Sequence, residues 1–243
     1  MTFPLVPNLY ISSRVYFPGE PMAEDKNEKE RLIKEKDREQ LQKHFQKLKN
    51  PVELLFFTQD FECQFCRETR ALLSEVSTFS EKISLSVYDF QKDTSTVTQF
   101  SIDKIPATAI LKEEKDYGIR FFGVPTGYEF TPLILAITTV SQGTSMLKPE
   151  TRKTLSSLKE DIHIQVFTTP TCPYCPQAVQ IAHQAAIESD YIRADMVESI
   201  EFPHLANKYD VFAVPKVIIN ETHTFEGVLP EEKFAEEIIK ATQ

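Results

Sequence analysis

The sequence predicts an α/β protein of two tandem units, each a central mixed β-sheet flanked by helices. Three observations carry that expectation. At two places an apolar run leads into a Cys-x-x-Cys pair and then a helical pattern, at Cys63–Cys66 and again at Cys172–Cys175. In each copy a proline after a β-branched residue (Pro106 after Ile105, Pro215 after Val214) follows the first cysteine by 43 residues and opens a second apolar run. The whole pattern recurs with a period of 109 residues. Solenoid repeats run to roughly 20–50 residues, so this period marks duplicated domains. A chain of 243 residues accommodates two units, each able to bury a core.

Taken in order, residues 1–22 hold Pro4, Pro7, Pro18 and Pro21 without helical or strand period. They read either as a disordered tail or as an over-extended start ahead of Met22, and they lack the pattern of a secretory signal. A Lys/Glu-rich helix then spans 23–48, with Leu41, Phe45 and Leu48 on one face. The first unit, residues 23–145, continues as strand 52–57, helix 64–79, strand 83–89, helix 93–100, strands 107–112 and 118–124, and helix 129–142. Gly, Ser and Pro interrupt the pattern between Gly143 and Pro149. The second unit, residues 146–243, repeats the series: leading helix 148–160, strand 163–167, helix 173–188, strand 191–197, helix 203–209, strands 214–219 and 223–227, and helix 231–242. Helix 173–188 follows from Ala178, Ile181, Ala182 and Ala185 on one face.

The chemistry lies in the cysteine pairs. A cysteine where a strand gives way to a helix meets unpaired N–H groups and the positive end of the helix dipole. Such a site lowers the thiol pKa from about 8.5 to roughly 3.5–7.5. Cys63 and Cys172 are therefore the expected nucleophiles, and Cys66 and Cys175 the resolving thiols. Pro173 suits the first helical position, where its missing N–H removes no helix bond. This makes the Cys172 pair the expected dominant site. Two blander readings are weaker. A structural bridge closing so short a loop stabilises little, about 2 kcal/mol. A zinc site would space its cysteine pairs by roughly 15–20 residues rather than 109. No metal or other cofactor is expected, and the five histidines show no ligand spacing. Net charge of −9 argues against nucleic acid or an anionic membrane as partner. No apolar run approaches a membrane span. All four cysteines sit in the two pairs, which points to a reducing, cytoplasmic setting.

Four segments together resemble the two-domain protein disulfide oxidoreductases of thermophilic prokaryotes, which have tandem thioredoxin-fold units. They are Cys63-Gln-Phe-Cys66, Cys172-Pro-Tyr-Cys175, the run from Ile102 through Pro106 to Thr108, and the run from Tyr117 to Phe130. The resemblance covers residues 23–243. It implies reduction, oxidation or isomerisation of protein disulfides, with cis bonds at Pro106 and Pro215 lying against the cysteines. The backbone at Ile105 and Val214 would then pair with an extended substrate segment. It also implies a flavoprotein of the thioredoxin reductase type as electron partner.

Two departures stand out. Where thioredoxins carry a buried acid, this chain has Phe57 and Val166, with Glu53 a weak substitute. Where glutaredoxins have paired glycines after the proline strand, it has Gly227 alone, so glutathione dependence is not expected. A competing reading is a dedicated electron carrier, similar to the amino-terminal region of peroxiredoxin reductases, between a flavoprotein and a peroxiredoxin-type partner. In that family the first unit lacks its cysteines, and here it keeps them. A third is a non-catalytic scaffold.

Overall fold

A computed structural model describes residues 32–242. The expected tail, 1–22, and the first part of the leading helix, 23–31, lie outside the described residues. The rest of that helix is α1 (Glu35–Phe45), which buries Leu41 and Phe45, while Leu48 is buried just beyond its end.

The first half continues as β1 (Val52–Thr58), α2 (Cys66–Ser77), β2 (Ile83–Asp89), α3 (Thr94–Gln99), β3 (Ala107–Lys112), β4 (Lys115–Phe122) and α4 (Phe130–Gln142). The second half repeats the order as α5 (Pro149–Ser156), β5 (Ile162–Thr168), α6 (Cys175–Glu188), β6 (Ile192–Glu198), α7 (Pro203–Lys208), β7 (Lys216–Ile219), β8 (His223–Glu226) and α8 (Glu231–Lys240). The run Val52–Thr58 is almost wholly apolar because both faces of its strand are covered. Leu54 and Phe56 enter one core, and Leu55 and Phe57 enter the other.

The expected two sheets are one. Eight strands run in the order β2-β1-β3-β4-β6-β5-β7-β8. The halves join where Ile119–Phe122 of β4 pairs in parallel with Ala194–Val197 of β6. One apolar core draws on α1, α2, α4, α5, α6 and α8 and runs unbroken across the junction. On the opposite face, residues around α3 and α7 (Phe100, Ile102, Phe202, Leu205) cover a smaller core.

The pairings fix strand direction. β1, β4, β5 and β6 are mutually parallel, so β1 and β5 end at the same edge of the sheet. Four strand spacings separate them, roughly 19 Å. Between them, β4 and β6 end at the same edge.

Candidate functional site

Both cysteine pairs follow those two strand ends, and both are disulfide-bonded with Cα–Cα separations of 5.5 Å. In the second pair Cys172 is 7% exposed and Cys175 is fully buried. In the first, Cys63 is half-buried and Cys66 buried. The helices begin two residues later than the sequence predicts. α6 opens at Cys175 with Pro176 in its first turn, so Pro173 precedes the helix rather than starting it. The Cys175 N–H, left unpaired by the helix start, donates to Cys172 Sγ at 3.1 Å. The first sulfur therefore still meets a helix-terminal donor, from just outside the helix.

The bonds Ile105–Pro106 and Val214–Pro215 are both cis. The halves repeat the surrounding backbone: Gly123 N–H donates to the Pro106 carbonyl, and Gly227 N–H to that of Pro215 (2.9 and 2.8 Å). Cys172 Sγ lies 3.7 Å from the Val214 carbonyl oxygen, which with the disulfide to Cys175 brings three of the expected second-site residues together. In the first half Cys63, Phe65 and Ile105 pack against the same core. Around this edge Phe61, Tyr174, Ile200 and Phe212 are exposed apolar side chains, Phe212 at 91%.

Phe57 and Val166 are fully buried, and no acid replaces them from Glu53. Glu53 stands at the start of β1, the end remote from Cys63, where the Ser86 hydroxyl donates to its carboxylate. The acids instead come from the strand ends between the two pairs. The run 123–129 leaves β4 and passes against the second site: Tyr128 N–H donates to the Pro170 carbonyl (3.0 Å), two residues ahead of Cys172. Gly127, at φ 62°, lets this contact form, since a Cβ there would stand 2.1 Å from the Pro170 oxygen. Next comes Glu129, 1% exposed, with neither carboxyl oxygen hydrogen-bonded. Burial, then the neighbouring Glu198, push its pKa well above the ordinary carboxylate range.

Glu198 ends β6 opposite Thr168 of β5, and burial raises it too. Glu201 donates its N–H to Glu198 Oε2, and its own Oε1 accepts the Val124 N–H, both at 2.7 Å. Burial, and after it the charges of Glu198 and Glu68, push Glu201 up to about 8 despite that Val124 hydrogen bond. Sequence reading missed all four glutamates. The legible signal was Glu129 itself, a lone acid between Tyr128 and Phe130 at the head of the most apolar helix.

Comparison with known proteins agrees with this site. The thioredoxin domain family model matches residues 162–240. The F component of Staphylococcus aureus alkyl hydroperoxide reductase is 27% identical over 180 residues, 72% of this chain. The chain spans about a third of the length of that curated relative, 33%. The crystal structure of the NTD_N/C domain of Enterococcus faecalis alkylhydroperoxide reductase AhpF superposes with TM-score 0.80 at 26% identity, over 85% of this chain and 99% of that one. A protein disulfide oxidoreductase from Aeropyrum pernix superposes with TM-score 0.79 at 32% identity, over 84% and 91%. With two Cys-x-x-Cys disulfides on tandem thioredoxin folds, and that identity across nearly all of the Aeropyrum pernix chain, this chain belongs to the protein disulfide oxidoreductase family.

Proposed function

We propose that the chain exchanges disulfides with protein substrates through both cysteine pairs. The observation that carries this reading is the placement of two disulfides at one open sheet edge, each with its second cysteine buried and its first closer to the surface. In the reductive direction the Cys172 or Cys63 thiolate attacks a substrate disulfide. One substrate sulfur leaves as thiolate, and a mixed disulfide forms. Cys175 or Cys66 then loses its proton and attacks that bond, releasing the reduced substrate and closing the intramolecular disulfide. In its ionised form Glu129, next to Tyr128 whose N–H is bound two residues ahead of Cys172, is the proton acceptor assigned to the second pair. The Val214 carbonyl offers a backbone acceptor to an extended substrate segment, and Tyr174 and Phe212 offer apolar contact. Escape of the substrate before resolution gives isomerisation. The reading includes a flavoprotein electron donor of the thioredoxin reductase type and a cytoplasmic setting.

A second reading is a dedicated carrier between a flavoprotein and a peroxiredoxin-type partner. It is favoured by the 99% coverage of the Enterococcus faecalis domain. Insulin reduction and refolding of a scrambled protein separate the two. On the first reading both activities appear. Replacing Cys172 and Cys175 by Ser removes most insulin reduction, and replacing Cys63 and Cys66 by Ser removes less. Absence of both activities in the wild-type chain overturns the reading.

A further inference from the structure

The two cis-proline loops are built alike but held differently. In each half a glycine just past β4 or β8 donates its N–H to the proline carbonyl, Gly123 to Pro106 and Gly227 to Pro215. β8 is the outermost strand on its side, and a Cβ on Gly227 would meet nothing within 4 Å among the described residues. β4 lies inside the sheet, paired with β6 of the second half. A Cβ on Gly123 would stand 2.6 Å from the Glu198 Cβ and 2.9 Å from Glu201 Oε1. The second half therefore closes on the first loop, and nothing comparable closes on the second.

The contact follows from backbone direction. Successive residues of an extended segment face opposite ways. Gly123 N–H turns toward Pro106, and the next N–H, that of Val124, turns away and reaches Glu201 Oε1 at 2.7 Å. The last pairing of β4 with β6 is Phe122 with Val197, so Val124 lies beyond the ladder and takes its acceptor from a side chain. Glu201 is itself held, because its N–H donates to Glu198 Oε2 at 2.7 Å. Its other oxygen, Oε2, has no hydrogen-bond partner among the described residues, so the grip on Val124 is what orients the carboxyl.

We propose that Glu201, a residue of the second half, is a positioning residue for the first site. By gripping Val124 it keeps Gly123 on the Pro106 carbonyl and so fixes the Ile105–Pro106 backbone that receives a substrate segment. The first site is then completed by the second half, whereas the second site carries no counterpart of this grip at Gly227. The proposal rests on the thiol–disulfide reading above. Its consequence is selective: without the grip, the first site binds an extended segment less well while the reactivity of Cys63 is unchanged.

The test isolates each first cysteine. One form keeps Cys63 and replaces Cys66, Cys172 and Cys175 by Ser, and the other keeps Cys172 and replaces Cys63, Cys66 and Cys175 by Ser. The probe is a short extended peptide whose one cysteine carries thionitrobenzoate in a mixed disulfide. The cysteine thiolate attacks the peptide sulfur, the bond to thionitrobenzoate breaks, and that group leaves as a coloured thiolate. Saturation with peptide separates binding from the limiting rate, and the small disulfide dithiobis(nitrobenzoate) reports reactivity of the thiol alone. Glu201→Ala raises the half-saturating peptide concentration at Cys63 roughly 3- to 10-fold, the loss of about one hydrogen bond, and leaves the small-disulfide rate within about twofold. Burial is the main cause that pushes Glu201 up to about 8, so near pH 7 it is a neutral acid, which Gln copies with its acceptor intact. Glu201→Gln accordingly restores peptide binding. At Cys172 the same Glu201→Ala change alters half-saturation by less than about twofold. If Glu201→Ala does not fold, Glu201→Leu, of similar bulk and without an acceptor, gives the same result. An unchanged half-saturation at Cys63, an equal rise at Cys172, failure of Gln to restore binding, or a Cys63 form that does not saturate with peptide overturns the proposal. The probe is a chemical disulfide. A wild-type chain that fails to reduce insulin therefore defeats the functional reading, while peptide saturation at Cys63 still decides the role of Glu201.

Discussion

At the residue scale, the strongest feature is a set of acids buried where ionisation is costly. Glu129 and Glu198 are almost wholly withdrawn from solvent, and Glu201 has one backbone donor against two neighbouring acids. Each carboxyl binds its proton more tightly in the folded chain than in the unfolded one. For Glu201 that contribution to stability is fully present below about pH 4.5 and is lost as pH rises through about 8. Urea midpoints measured across this window should fall with rising pH, and Glu201→Gln should flatten the fall. A midpoint that rises across the window in the wild-type chain contradicts the burial argument. Asp195 shows the opposite balance. Burial opposes its charge, yet His163 and Arg193, at 2.6 and 2.8 Å, hold the carboxyl well below the ordinary range.

At the element scale, each site depends on segments that are neither helix nor strand. The run 123–129 carries Glu129 to the second site by laying its backbone on the Pro170 carbonyl. Gly127 permits this because it adopts positive φ without a Cβ. Gly127→Ala meets a fixed backbone oxygen as well as an unfavourable conformation. It should destabilise the chain by more than about 1 kcal/mol, read by urea unfolding. It should also slow insulin reduction more than it slows thiol alkylation at Cys63, whose own loop is untouched. Equal slowing would place the strain elsewhere. The β3–β4 turn, at the sheet edge away from both sites, is another irregular segment: Glu113 and Glu114 both adopt positive φ, with Lys112 and Lys115 paired across it.

At the scale of the whole molecule, the junction is part of the core. Gly118 lets β4 approach β6 so closely that a Cβ would stand 2.4 Å from the Ile192 carbonyl oxygen. Phe121 of β4 packs edge-on against His183 of α6, with ring centroids 4.8 Å apart. Burial lowers that histidine to about 4, so a neutral imidazole fills the junction near neutral pH. A sheet and core continuous across both halves should melt as one unit. Scanning calorimetry should show a single transition with matching calorimetric and van't Hoff enthalpies. Phe121→Ala should lower it as a whole by removing about 3–5 kcal/mol. Two resolved transitions would mean that the halves unfold independently.

The order of elements was legible in the sequence because strand and helix periods are local and because each half repeats the other. The cysteine pairs were legible for the same reason, since a Cys-x-x-Cys at a strand end specifies its chemistry within a few residues. Boundaries set by donors and turns were not. α6 starts at Cys175 rather than Pro173, and β4 starts at Lys115 rather than 118 because Glu113 and Glu114, which carry no turn signal, make the turn. The joining of two sheets into one was also illegible, because β4 and β6 are each plausible edge strands until paired with each other. The glutamates were the largest omission. Glu68, Glu129, Glu198 and Glu201 are ordinary surface residues by composition and lie far apart in the chain. Only the parallel alignment of β1, β4, β6 and β5 brings the segments at these strand ends to one edge, where Glu129 and Glu198 are buried, and so changes what a carboxyl there does.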